Sequence, residues 1–332
     1  MAQHDLVVIG ASAGGVEAMR KLAAALPAKL DAALFLVIHT LAEGPALMAD
    51  ILNYRGTLPA SYPNDGESFE RGHVYIAPPD HHLLLEGERV RVVRGPKENR
   101  HRPAIDPLFR SAAVQHGPRV IGVVLSGYLD DGVAGLAAIK QLGGITVVQH
   151  PKDAAVPDMP ANALRCVAVD HCVPLAELAP LLERLVASPT TTPLPTEQKL
   201  MASHESLKIE ARIPLEGSTI EIVDRLGTRS VFTCPECHGV LWEIKDNELL
   251  RYRCHVGHAF TAESLAEDQQ QVLDGVLWMA LKSLKERAEL SLQMAERARS
   301  RGDESAAKFF VERAEKAVQH AVKLQNMLAE EA

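Results

Sequence analysis

Asp5-Leu-Val-Val-Ile-Gly-Ala-Ser-Ala-Gly-Gly-Val16 is the stretch whose reading decides the fold. Leu6 to Ile9 are four consecutive apolar residues without polar alternation, which predicts a strand buried on both faces of a sheet. Gly10, Gly14 and Gly15 interrupt the run, and Val16 to Leu26 resumes at a helical period. Strand, turn and helix in this order put the turn at the carboxyl end of a strand, where open α/β sheets bind their ligands. The turn carries one nucleophile, Ser12. It either cradles a phosphate or presents a serine.

The next strand, Ala33 to Ile38, argues against the phosphate. It ends on His39 and Thr40, where a dinucleotide fold needs an acidic residue for the ribose hydroxyl. The glycines also miss the G-x-G-x-x-G spacing. Further along, Gly72 to Pro79 reads as a short strand stopped by prolines. Leu83–Leu85 and Val90–Val93 read as a hairpin about Glu86-Gly87-Glu88. Arg89, Arg91, Arg94, Lys97, Arg100 and Arg102 follow on its far side. They make either a charge-protected hairpin edge or a cationic rim for an acidic protein substrate. Asp106 before Pro107 is expected to cap a helix. Arg119 to Leu125 is another apolar strand, running into Ser126-Gly-Tyr-Leu-Asp-Asp-Gly132 and a helix over 133–142. Strands at 145–148 and 167–169 and a helix over 175–186 complete the pattern. Alternating strands and helices imply a doubly wound, mostly parallel sheet in a three-layer, Rossmann-like α/β domain.

Three strand ends therefore carry Ser12, His39 and the pair Asp130–Asp131, and the strand ends of a parallel sheet lie along one edge. Serine, histidine and aspartate together form the acyl-transfer arrangement, recognised by roles and not by chain order. Each alone has a plainer reading: Ser12 as a helix cap, His39 as a hydrogen-bonded strand end, Asp131 as an N-cap.

Ile9 to Val16, Val37-Ile-His39, Val74-Tyr-Ile-Ala-Pro-Pro-Asp-His-His-Leu83, Val124 to Gly132 and Met159-Pro-Ala-Asn-Ala163 resemble, in order, the catalytic domain of the chemotaxis protein-glutamate methylesterases (CheB-type) over residues 5 to about 187. The resemblance implies Ser12 as nucleophile, His39 as general base and Asp131 as orienting acid. It places Ala13, Tyr128 and His82 at the oxyanion and substrate pocket, with a Tyr128 backbone N–H toward the oxyanion and the role of His82 left open. The implied reaction is hydrolysis of glutamate methyl esters on chemoreceptor helices, with deamidation of glutamine in some members. The implied partners are methylated acidic helices of receptor or signalling proteins. This chain departs from the family in having Ala13 for the usual threonine and Gly127-Tyr128-Leu129 where Gly-Met-Gly is usual. With the first strand opening at residue 6, no receiver domain is expected ahead of it, nor activation by aspartyl phosphorylation in cis.

Composition sets the outer bounds. At 332 residues two domains are expected, and a net charge of −8 speaks against nucleic-acid binding. No apolar window is long enough for membrane insertion, so a cytoplasmic protein is expected. Five cysteines, three of them late, suggest a metal site and two buried thiols. The expected division is a catalytic domain over 1–187, a Pro/Thr linker over 188–202, a small zinc-binding segment over 203–262 and a helical hairpin over 263–332.

In the third part a short strand pair is expected around 207–209 and 220–223. Cys234-Pro-Glu-Cys237 and Cys254-His-Val-Gly-His258 supply three thiolates and an imidazole, a tetrahedral zinc set with no position left for water. His238 and His255 are adjacent alternatives for the fourth ligand, and a redox dithiol is the competing reading of Cys234 and Cys237. Similar segments stand behind stand-alone methylesterase domains. Beyond it, Leu277, Leu281, Leu284, Ala288, Leu292 and Ala295 form one helical stripe. After Gly302-Asp303, Phe310, Ala314, Ala317, Ala321, Leu324 and Leu328 form an a/d seam, either of a hairpin closing on itself or of a self-associating coil. The leading expectation is thus a serine esterase that needs no catalytic cofactor and carries a structural zinc. A non-catalytic signalling adaptor and a hydrolase of another ester or amide are the alternatives.

Overall fold

The structure, a computed structural model, describes residues 3–190, 205–246 and 249–330. Met1–Leu265 form one compact unit and Ala266–Ala332 a second, so the division falls well beyond the expected linker. From residue 191 onward that linker lies outside the described residues.

The chain opens β1 (Leu6–Ala11), α1 (Gly15–Ala25), β2 (Ala33–Ile38), α2 (Met48–Arg55), β3 (Ala60–Ser61) and β4 (Val74–Ile76). The hairpin β5 (His82–Glu86) and β6 (Arg89–Val93) follows, then α3 (Ile105–His116), β7 (Val120–Val124) and α4 (Val133–Gln141). β8 (Ile145–Gln149), α5 (Asp158–Cys166), β9 (His171–Val173) and α6 (Leu175–Ala187) close the α/β part. Seven strands pair in the order β3-β4-β2-β1-β7-β8-β9, and every pairing is parallel. β1 and β2 are buried at every residue, as their unbroken apolar runs require. One core packs α1, α2 and α6 on one face; the other packs the hairpin and α3, α4 and α5 on the opposite face. The strand order reverses between β1 and β7, which opens the switch-point crevice beside Ser12.

Several expectations are corrected. The last strand is His171–Val173, because α5 continues to Cys166 and Val167 ends it with a bond to Ala163 O. Asp106 does not cap α3: the helix begins at Ile105, and the Asp106 carboxylate is buried one position inside it. Much of the cationic rim is paired with carboxylates. Arg91 pairs with Asp65 and Glu86, Arg94 and Arg102 with Asp80, and Lys97 with Glu236. Arg89 donates to Gly66 O, and Arg100 is partnered as well. Cys166 is half-buried and Cys172 exposed, so neither is the buried thiol expected.

The expected strand pair near 207–223 is instead two helices, α7 (Glu205–Glu216) and α8 (Ile220–Leu226). Three or four alternating residues cannot separate the two periods. Thr219 decides the second, its side chain accepting from Ile222 N as an N-cap. An antiparallel four-stranded sheet follows: β10 (Gly227–Thr233), β11 (Val240–Asp246), β12 (Leu249–Cys254) and β13 (Ala259–Thr261).

The second unit holds α9 (Ala262–Ser300) from Ala266 onward, its first turn belonging to the first unit, and α10 (Glu304–Glu330). Gly302, at φ 76°, ends α9, and Asp303 Oδ1 accepts from Ala306 N to start α10, as the sequence implies. Ala288, Ser291, Ala295 and Ala298 are buried on α9, and Ala307, Ala314, Ala317 and Ala321 on α10. Leu292 is exposed and leaves the expected stripe; Ser291 takes its place, its hydroxyl satisfied by Arg287 O. Among the described residues no helix is long and apolar enough to cross a membrane.

Candidate active site

The turn after β1 holds its shape because its glycines do what other residues cannot. Gly14 sits at φ 77°, and a Cβ there would lie 2.7 Å from Ala155 Cβ. Gly127, in the loop after β7, comes so close to the nucleophile that a Cβ would lie 2.7 Å from Ser12 Cβ and 2.0 Å from Met159 Sδ. Ser12 N donates to Ser126 O at 2.9 Å and His39 N to Ala11 O at 3.2 Å, so the ends of β7, β1 and β2 are tied side by side.

On that edge Ser12 Oγ lies 3.1 Å from His39 Nδ1, and His39 Nε2 lies 2.7 Å from Asp131 Oδ2. The carboxylate must accept, so Nε2 carries the proton and Nδ1 is free to take one from Ser12. Asp131 is fully enclosed, at 2% exposure, and sits against the amino end of α3. Ile105 N donates to Oδ2 at 2.7 Å, Asp106 N to Oδ1 at 3.3 Å and Asn99 Nδ2 to Oδ1 at 2.9 Å. Burial opposes its charge, but the His39 hydrogen bond and charge and these N–H donors outweigh burial and hold the carboxyl down at about 2. Its neighbour Asp106 goes the other way, pushed up to about 8 by burial and then by the Asp131 charge. The other member of the sequence pair, Asp130, does not face His39. It accepts from Thr261 Oγ1 at 2.7 Å, and burial pushes its carboxyl up to about 7.

Of the expected pocket residues, Ala13 and Tyr128 lie beside Ser12 and Gly127 in the two loops, and Tyr128 is 61% exposed. His82 is a correction. It is completely buried, its Nε2 donates to Pro96 O at 2.9 Å and its Nδ1 accepts from Ala104 N at 3.3 Å. Both ring nitrogens serve the backbone and none is left for a substrate. Burial lowers its basicity, so the ring stays neutral.

Two further residues, His101 and Asn99, touch the constellation without a signal in the sequence pattern, and two more, Ser126 and Asn162, lie within motif stretches. The His101 ring stacks on His39 with centroids 3.6 Å apart and planes 16° from parallel. Burial, then the facing His39 ring, pushes it down to about 3, so it is a neutral plate. Asn99 donates to both Asp131 and Asp106. Ser126 Oγ donates to Ala13 O at 2.7 Å and accepts from Val156 N, bracing the nucleophile's turn. Asn162, within the Met159–Ala163 motif, donates to Leu129 O at 2.9 Å and supports the other loop.

A second cluster lies in the β10–β13 sheet, where the ligand atoms of Cys234, Cys237, Cys254 and His258 all fall within 4.8 Å of one another. Cys237 and Cys254 sulfurs are 3.6 Å apart, and His258 Nδ1 is 3.5 Å from Cys254 Sγ and 3.7 Å from Cys234 Sγ. Of the three histidines considered from the sequence, His258 is the one in the cluster. The set could hold a metal ion.

A family model for the CheB methylesterase domain matches residues 7–182. A Xanthomonas campestris protein named protein-glutamate methylesterase/protein-glutamine glutaminase 1 is 38% identical over 186 residues, 55% of this chain and 51% of that protein. The chain thus spans about half the length of such Xanthomonas relatives. A Leptospira interrogans protein carrying the same description provisionally is 35% identical over 183 residues, 55% of this chain and 95% of its own. The crystal structure of the Thermotoga maritima CheB methylesterase catalytic domain superposes with a TM-score of 0.52 at 29% identity, covering 55% of this chain and 98% of that one. Domain match, relatives and fold agree over the same stretch that carries Ser12, His39 and Asp131, and the chain belongs to the CheB methylesterase family.

Proposed function

We propose that the protein is a serine esterase that hydrolyses methyl esters of glutamate side chains on a chemoreceptor-like signalling protein in the cytoplasm, and side-chain amides of glutamine by the same route. The observation that carries this reading is the hydrogen-bonded line from Ser12 Oγ through His39 to the enclosed Asp131. The names of the relatives supply the substrate class.

In this mechanism Ser12 Oγ attacks the ester carbonyl carbon while His39 Nδ1 takes its proton. Asp131 holds the imidazole in the tautomer with Nε2–H and stabilises the imidazolium. The N–H groups of Ala13 and Tyr128 are assigned to the oxyanion; neither bonds to a backbone carbonyl among the described residues. Collapse of the tetrahedral intermediate breaks the bond to the methoxy oxygen, which leaves as methanol with the proton from His39. Water then attacks the acyl-serine, again through His39, and releases glutamate. With an amide the first leaving group is ammonia.

The Cys3His cluster is read as a structural zinc site. Zinc with Zn–S of about 2.3 Å and Zn–N of about 2.0–2.1 Å implies ligand separations of roughly 3.5–3.8 Å, which the cluster's contacts of 3.5–3.7 Å fit. Four protein ligands would hold the ion and leave catalysis to the triad. Trp278, Met279, Leu290 and Leu292 are exposed on α9 and Val318 and Val322 on α10, which favours self-association or partner docking through these helices.

Incubating the protein and its Ser12→Ala variant with a methylated receptor and measuring methanol tests the proposal. Release by the wild type alone is expected. Equal release from both would overturn the esterase reading in favour of an adaptor.

A further inference from the structure

The β10–β13 sheet reaches into the catalytic edge through β13. Ala259 N donates to Lys97 O at 3.3 Å, and Asn99 N donates to Ala259 O at 2.8 Å. Asn99 Oδ1 accepts from Thr261 N at 3.0 Å and from Ser264 Oγ at 3.2 Å. The opposite end of the same amide donates to Asp131 at 2.9 Å and Asp106 at 2.8 Å. An amide has one acceptor end and one donor end. Two donors from β13 and the first turn of α9 meet its oxygen, so its NH₂ faces the two carboxylates. Turned over, its oxygen would face both of them. The same short loop, Lys97 to His101, carries the ring that stacks on His39.

Charge locks this contact. Arg253 on β12 is wholly buried, donating to Glu98 at 3.1 Å and to Glu210 at 3.1 Å, while Glu98 also takes Arg110 at 2.6 Å. Glu98 immediately precedes Asn99. Thr261 Oγ1 meets Asp130, the residue before the triad acid. Glu263 pairs with Arg165 and accepts from Asn162, which also holds Leu129 O. Thr261 lies three positions after His258, so the ligand cluster fixes the turn that delivers β13.

We infer that β13 and the first turn of α9 belong to the active site: Thr261 and Ser264 are positioning residues that orient Asp131 through Asn99 and Asp130. The inference rests on the triad reading above and goes beyond it, since it makes a segment outside the matched family domain part of the catalytic edge.

The test uses the full chain and a fluorophosphonate probe. Ser12 Oγ bonds to phosphorus, fluoride leaves, and His39 takes the serine proton. The reaction reads serine activation whatever ester is physiological. In the Thr261→Val/Ser264→Ala pair the phosphonylation rate is expected to fall on the order of 10- to 100-fold. The low-field proton resonance of His39 Nε2–H is expected to shift or vanish, with metal content unchanged. Thr261→Ser keeps the hydroxyl and the backbone donor and is expected to retain the wild-type rate. Ser264→Ala alone, the milder change should the pair fail to fold, is expected to slow labelling and shift the same resonance. Wild-type rate and resonance in a folded pair, or in Ser264→Ala, overturn the inference. A wild-type chain that labels at Ser12 yet releases no methanol overturns the proposed substrate instead.

Discussion

His39 Nε2 lies 2.7 Å from Asp131 Oδ2, and the other oxygen of that carboxylate is taken by Asn99. The carboxylate therefore cannot rotate without losing the imidazole, the amide or the amino end of α3. Asp131→Asn keeps the shape but offers His39 an NH₂ or a weaker acceptor, favouring the wrong tautomer. We expect kcat for methyl-ester hydrolysis to fall by roughly 10³- to 10⁴-fold, with KM within a few-fold of wild type. Steady-state methanol release checks this, and a variant within tenfold of wild type would remove Asp131 from the mechanism.

His101 lies flat on the His39 ring, 3.6 Å away, and carries no charge. Its part is steric, closing the face of the imidazole. His101→Ala opens a gap on that face, and kcat is expected to drop by about tenfold as His39 gains freedom. His101→Phe restores a plate and should recover most of the loss. Equal activity in all three proteins would show that the stack does not hold His39.

Which parts of this edge could be read from the sequence follows from how each residue signals. The apolar runs Leu6–Ile9, Ala33–Ile38 and Val120–Val124 announce buried parallel strands, and that fact brings Ser12, His39 and the pair Asp130–Asp131 to one edge; the choice of Asp131 within the pair comes from the family resemblance. Asn99 and His101 sit in a polar loop without periodicity, and Asn99 is held by Thr261 and Ser264 more than 160 positions later. No local pattern encodes such a pairing. His82 misled for the opposite reason: its motif is conspicuous, but its ring nitrogens are spent on Pro96 and Ala104. The residues of α7 misled because Glu210, in the middle of an apparently polar stretch, is buried against Arg251 and Arg253.

Leu129 holds φ 59° in the loop beside the nucleophile, where the family pattern has glycine. A non-glycine residue in the left-handed region costs about 1–2 kcal/mol. Glycine there loses about 0.5–1 kcal/mol of its advantage to unfolded-state entropy. Leu129→Gly is therefore expected to raise stability by about 0.5–1 kcal/mol, read as a higher denaturant midpoint. The bond from Asn162 to the residue 129 carbonyl survives, since it is to backbone. A fall in the midpoint would mean that packing of the half-buried leucine outweighs the strain.

The Cys3His cluster predicts one zinc per chain. The sheet around it has a small core, Leu241, Tyr252, Phe260 and Leu265 with the buried Cys234 and Cys254, so a bound ion would supply much of its stability. Cys254→Ser is expected to lower bound zinc well below one equivalent and to lower the unfolding midpoint by about 10 °C or more. Elemental analysis alongside calorimetry checks both. Full zinc content in the variant would take Cys254 out of the ligand set.

Asp130 gives the protein a pH dependence whose sign can be worked out. Burial raises its carboxyl to about 7 in the folded state, above the ordinary carboxylate value in the unfolded chain. The unfolded chain therefore gives up this proton first as pH rises. Stability is greatest below about pH 4 as far as this group is concerned and declines as pH climbs toward 7, because the fold must hold a proton or bury a charge. Asp130→Asn is nearly isosteric, keeps an oxygen for Thr261 Oγ1–H and has no charge to bury. It should stabilise the protein relative to wild type by about 2 kcal/mol more at pH 8 than at pH 5, since each pKa unit is worth about 1.4 kcal/mol. Chemical denaturation of both proteins at the two pH values measures the difference directly. A gap that does not widen with pH would mean that Asp130 ionises in the fold as easily as in water, with the Thr261 hydroxyl bond and local water offsetting its burial.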